Sequence, residues 1–94
     1  MNPITVEHNV TPAKLDVLYV DGWPIWSKGV SEFGWLYEQQ ETCYVLEGTA
    51  VITPEDGEPV TITSGDLVVF PRGMKCVWKI TKPIRKHYKF DTTD

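Results

Sequence analysis

The sequence contains no apolar run near the roughly 18 residues that a membrane-spanning helix requires. Its first ten residues, MNPITVEHNV, have neither the basic nor the apolar stretch of a secretory signal. No membrane association is expected, and the cytoplasm is the expected location. Basic charge is scarce too: nine Lys and Arg stand against thirteen Asp and Glu, a net charge of −4. Nucleic-acid binding depends on a basic footprint and is not expected. The local group Lys82, Arg85, Lys86 and Lys89 is interrupted by Pro83 and Asp91 and reads as a solvated strand face. Cysteine is limited to Cys43 and Cys76. They lack zinc-site spacing and are expected to be reduced thiols. Linkers, repeats and low-complexity segments are absent, so residues 1–94 are read as a single domain.

Aromatic and β-branched residues are plentiful. Hydrophobic residues make up 41% of the chain and charged residues 23%, the balance of a chain with a packed core, and four Trp and four Tyr supply large apolar contacts. Thr11-Pro12 is a helix start, a capping hydroxyl followed by proline at the first helical position. The following AKLDVLYV is expected to make two turns, with Leu15, Val17, Leu18 and Val20 available for packing, and to stop at Asp21-Gly22. From there the pattern is strand and turn. PIWSKGV, EFGWLYE, TCYVLEGTAVITP, EPVTITS, LVVFP, KCVWKI and IRKHYKF read as strands, and Gly48 marks a bend or bulge within the longest. Turns are expected at Pro54–Gly57, Ser64–Asp66 and Pro71–Gly73, and Thr81-Lys82-Pro83 is expected to separate the last two strands. Recurrent short strands with one N-terminal helix predict an all-β sandwich or barrel. Trp23 and Trp26, on either side of Pro24, are expected to serve packing or self-association.

Glycine spacing is more specific. Gly29 is followed by five residues, Trp35-Leu36-Tyr37, three residues, Glu41, six residues and Gly48. Gly65 is followed by five residues, Pro71-Arg72-Gly73, two residues and Cys76. This skeleton resembles the two signature motifs of the cupin family. WPIW, VSEFGWLY, ETCYVLEG and GDLVVFPRG narrow the likeness to very small single-domain cupins related to the cupin domains of ureidoglycine aminohydrolase. The resemblance implies a cupin-type jelly-roll β-barrel, open at one end, and a possible homodimer.

The resemblance also shows where this chain departs from the family. Cupins typically hold Mn, Fe, Ni or Zn with three His and one Glu. Matched position by position, the first motif's histidines fall on Trp35 and Tyr37, the second motif's histidine on Cys76 and its asparagine on Ile80. Only Glu41 keeps a ligand's identity. No conventional cupin metal and no other cofactor is expected, since indole is not a ligand and the family's ions favour imidazole and carboxylate. His8 and His87 lie outside both motifs; His87 could reach the barrel from the last strand. By strand alternation, Cys43 and Val45 point inward if Glu41 does, Trp78 and Ile80 do if Cys76 does, and Trp35 and Tyr37 face the same way as each other. The expected cavity is therefore lined by Trp35, Tyr37, Glu41, Cys43, Cys76 and Trp78. Three readings follow. The leading one is a binding protein whose aromatic walls and Glu41 hold a small polar or cationic molecule. In this reading Glu41→Gln alters binding more than stability. The second is an enzyme acting on a small amine or ureido compound, with Glu41 as acid/base and Cys76 as reactive thiol. The third is a plugged barrel with a structural or interaction role.

Overall fold

In the computed structural model, which describes residues 4–91, seven strands form one antiparallel sheet that curls on itself. The elements are β1 (Thr5–Glu7), α1 (Pro12–Leu18), a 3-10 turn (Val20–Gly22), β2 (Ile25–Lys28), β3 (Ser31–Leu36), β4 (Gln40–Pro54), β5 (Val60–Thr63), β6 (Leu67–Phe70) and β7 (Lys75–Asp91). The sheet order is β1-β6-β4-β7-β2, with β3 also pairing with β7 and β5 with β4. This all-β architecture with one short helix is that of a cupin jelly roll. No helix among the described residues is long and apolar enough to cross a membrane.

Two long strands hold the barrel together. The first half of β4 pairs with β6 and its second half with β5, while β7 runs alongside nearly all of it. Likewise β7 carries β3 on its first half and β2 on its second. Both strands bend at the same place. The β4–β7 register slips between Val45 and Ala50, around Gly48, whose φ is +92°. A Cβ there would collide with the carbonyl oxygen of Pro83. The bulge shifts the inward phase of β4 by one residue. Glu41, Cys43 and Val45 are buried before it, and Ala50 and Ile52 after it, so both halves of the strand face the core despite the bend.

Pro83 was expected to divide two strands, yet β7 passes through it. The residue sits where neither neighbour needs its missing N–H. Lys82 and Arg85 have β4 partners but Pro83 has none, β3 stops pairing at Ile80, and β2 begins at Ile84. The helix departs from expectation in another way. Thr11 Oγ1 accepts from Lys14 N at 3.3 Å and Pro12 opens the first turn, as read. However, α1 ends at Leu18 because Tyr19 turns left-handed, with φ of 59°. No α1 residue is buried: Val17 is 84% exposed, and of the four residues expected to pack only Val20, in the 3-10 turn, is buried. Strand β1 has no counterpart in the sequence reading. It adds to β6 through Thr5–Val69 to Glu7–Leu67, and Ile4 just before it enters the core.

The bend predicts a large asymmetry between glycines. Gly48→Ala combines positive φ with a backbone collision and is expected to cost about 3 kcal/mol. Gly29→Ala, where an added Cβ meets nothing within 4 Å, should change stability by no more than about 0.5 kcal/mol. Urea denaturation of the two variants checks this, and equal losses would contradict the role given to the bend.

Candidate functional site

Odd-numbered side chains at the start of β4 and even-numbered ones along β7 point into the barrel. Cys76, Trp78 and Ile80 are buried on β7, and beyond Pro83 so are Ile84 and Lys86. Lys86 therefore does not belong to a solvated basic face. It is 4% exposed, and its Nζ donates to Glu41 Oε2 at 2.6 Å. Both side chains are almost wholly shielded from water.

Aromatic rings surround this ion pair. Trp26 on β2 lies directly across from Lys86, and Phe33 on β3 directly across from Trp78. The Lys86 ammonium sits 4.7 Å from the Trp78 ring centroid, 5.0 Å from Trp26 and 5.8 Å from Phe70. These faces compensate an ammonium for part of its lost hydration. Trp78 stacks parallel to Phe33 at 6.2 Å and meets Trp26 edge-on at 6.1 Å. The space left open is a cavity of about 210 Å³. Glu41 and Lys86 supply its charged groups, and Trp26, Phe33 and Trp78 its inner walls. Trp35, Tyr88 and Phe90 also line it, and Trp35 and Phe90 are partly open to solvent.

Of the six residues expected to line the cavity, the structure brings Glu41, Trp78 and Trp35 to it. The other three lie in the packed core. Tyr37 follows the end of β3. Its backbone donates to Met74 O at 2.9 Å and accepts from Gly73 N at 2.6 Å, which draws the ring inward. There it stacks on Phe70 at 4.9 Å, and its hydroxyl accepts from Trp78 Nε1 at 3.1 Å. Burial, reinforced by the Glu41 charge, pushes the Tyr37 phenol far above its ordinary range. Cys43 is fully buried and its thiol is pushed up to about 12 by burial, against the opposing pull of Lys86. Cys76 borders a separate depression with Gly34, Leu36 and Val77, and its thiol donates to Trp35 O at 3.7 Å. Burial, then the Glu41 charge, pushes this thiol up to about 11. Both thiols are free.

The histidines stand apart from the cavity. His87 follows Lys86 and so faces the other side of β7, where its Nδ1 lies 2.9 Å from Trp23 O. His8 Nδ1 lies 2.8 Å from Asp66 Oδ1, and Asp66 also caps its own turn by accepting from Thr63 N at 2.9 Å. Among the described residues, no three His, Cys, Asp or Glu side chains come together as a metal site. The donor set is a poor match to the family's metal: Glu41 is paired with an ammonium, and an indole, a phenol and a thiol stand where that metal has imidazoles. Sequence reasoning missed Lys86, Trp26, Phe33, Tyr88 and Phe90 as cavity residues.

A family model described as the EutQ-like cupin domain matches residues 15–88. The chain belongs to the EutQ-like cupin family. Among solved structures, this cupin is similar to a DUF861-family protein of Thermotoga maritima, with 51% identity over 94% of this chain and 99% of that one, and a TM-score of 0.90. It also resembles a DUF861-family protein of unknown function from Pseudomonas syringae pv. tomato, with 28% identity over 71% of this chain and 29% of that one (TM-score 0.65). The Clostridium difficile EutQ protein shares the fold at 23% identity over 93% of this chain and 66% of that one (TM-score 0.66). The comparison with curated proteins finds no match.

Two expectations arise from the site. Removing one member of a buried ion pair strands the other, at about 3–5 kcal/mol, whereas replacing both with apolar residues of similar size is often neutral. Glu41→Leu and Lys86→Met should each destabilise strongly, while the double variant stays within about 1 kcal/mol of the parent. Glu41→Gln, expected from sequence to act chiefly on binding, also leaves a buried ammonium without its counter-charge and should lower stability. Additive losses in denaturant titrations would contradict the coupling.

The second expectation concerns Cys76. Its thiol is raised from an ordinary 9.0 to about 11, so between those values the unfolded chain has released a proton that the folded chain keeps. Stability should therefore fall as pH rises from 9 to 11, with no contribution from this thiol well below 9. Iodoacetamide should alkylate native Cys76 more slowly at pH 8 than the urea-unfolded chain. Rapid native alkylation at that pH would contradict the assignment.

Proposed function

We propose that this protein binds a small polar molecule in the aromatic cavity, with Glu41 and Lys86 as the polar pair that orients it. One observation carries the reading: a buried ion pair faces an open, otherwise aromatic cavity instead of a filled core. A barrel built only to be solid would need neither the open space nor the pair, since apolar replacement of a buried pair is often neutral or better. Concave, largely aromatic sites with a few placed polar groups are the usual form of small-molecule sites. Their walls here come from β2, β3, β4 and β7.

The site argues against a cationic ligand. Lys86 already occupies the carboxylate and the indole faces that such a ligand would need. The enzymatic alternative loses its nucleophile, because Cys76 lies outside the cavity lining and its protonated thiol is a poor attacking group.

The four tryptophans make the test direct. Trp26, Trp35 and Trp78 line the cavity and Trp23 does not. In ¹H–¹⁵N spectra, titration with a library of small polar metabolites should shift the cavity indole signals and leave Trp23 in place. A library that moves none of the three, or moves Trp23 most, would overturn the proposal.

A further inference from the structure

The polar floor of the cavity has a particular pattern. Lys86 uses one N–H on Glu41 Oε2 and presents the rest of its ammonium toward the rings and the open space. With Oε2 engaged, Oε1 is the carboxylate's remaining acceptor, on a residue that lines the cavity. It is not sealed in the core, because every fully buried polar side-chain atom among the described residues has a partner. A donor and an acceptor thus stand side by side, and their charges cancel.

That cancellation selects among ligands. A carboxylate attracted by Lys86 meets the charge of Glu41 beside it. An ammonium attracted by Glu41 meets Lys86, which already holds the favourable ring faces. A neutral group with an adjacent acceptor and donor satisfies both partners and leaves the floor neutral. The walls add a shape requirement. They are flat rings, Trp78 parallel to Phe33 and Trp26 at 72° to Trp78, and the space left between their edges and the rings of Trp35, Tyr88 and Phe90 suits a flat guest.

Resting on the binding reading above, we propose that the cavity recognises a planar, neutral heterocycle through a lactam-type edge. The ring carbonyl accepts from Lys86 Nζ, and the adjoining ring N–H donates to Glu41 Oε1. Hydrogen bonds to charged partners in such a dry site are among the stronger ones.

The test uses four probes on the intact protein: 2-pyridone, N-methyl-2-pyridone, benzoate and benzylamine. Binding is followed by calorimetry and by the cavity indole signals. 2-Pyridone should bind best. N-methylation, which removes the donor but keeps ring and carbonyl, should weaken binding at least about tenfold. In the Glu41→Leu/Lys86→Met double variant, expected to stay folded, the two pyridones should bind alike. Equal binding of both pyridones to the parent protein would overturn the lactam assignment. Tighter binding of benzoate or benzylamine with shifted cavity indoles would also overturn it, while leaving small-molecule binding intact. No indole response to any of the four probes would also overturn the lactam assignment, whereas the binding reading falls only if the metabolite library is silent as well.

Discussion

The close approach of Gly48 to the carbonyl of Pro83 is the constraint on which the barrel and its cavity depend. Only a residue without a side chain fits the bent strand at that point. The bend lets β4 and β7 each serve two groups of neighbours, so a chain of 94 residues closes a barrel with very few strands. It also resets the alternation of β4, which lets Glu41 face inward at one end while Ile52 does so at the other. Without the phase shift one half of the strand would turn its apolar residues to solvent.

Within that frame the electrostatics follow from burial. A carboxylate removed from water needs a counter-charge and hydrogen-bond donors. Lys86 supplies both from the adjacent strand β7, and its long aliphatic stem carries the ammonium from its place across from Trp26 on β2 to Glu41 on β4. The rings serve two purposes. Trp78 and Trp26 favour the cation through their faces, and Trp78 also ties the wall to the core by donating to Tyr37. Tyr37 is in turn clamped by the turn at Gly73 and Met74. The second motif's Pro-x-Gly turn thus helps to set the cavity wall, through a hydroxyl that never reaches the cavity.

Much of the fold was legible because it rests on short-range rules. Thr11-Pro12, the three turns and the bulge at Gly48 each carry a local signature, and the glycine spacing identified the cupin family. The site was legible in part. Alternation located Glu41 and Trp78 on the barrel interior, but it could not tell a residue lining open space from one packed behind it, as Cys43 and Tyr37 are. Lys86 was missed for a definite reason. Reading Pro83 as a break discarded the strand's phase, and a lysine between Arg85 and His87 then looked like surface. Carried through from Trp78 and Ile80, the same even-numbered alternation reaches Ile84 and Lys86. Phe33 and Trp26 were hidden because their cavity role comes from pairing with distant β7, which no local pattern encodes. The packing expected of α1 failed because apolar residues at helical spacing require a facing surface, and Val17 has none.

The departures from the cupin motif can be understood as one linked change. Where the family's motif surrounds Glu41 with imidazoles, a metal ion provides the positive charge that a buried carboxylate requires. Here those positions are Trp35, Tyr37 and Cys76, none of which recruits a cation to Glu41 by coordination. A carboxylate left alone among them would be a buried charge without a counter-charge, which is costly. Lys86 resolves this by bringing a covalently attached cation to the place where charge is needed, and the ring faces of Trp26 and Trp78 suit an ammonium better than a divalent ion. The exchange alters what the cavity can do. A metal polarises what it binds and leaves coordination positions open, whereas an ammonium already paired with a carboxylate offers a fixed donor beside a fixed acceptor. Retention of Glu41 alone thus does not carry the family's metal chemistry with it: the same carboxylate, given a different counter-ion, becomes half of a buried ion pair.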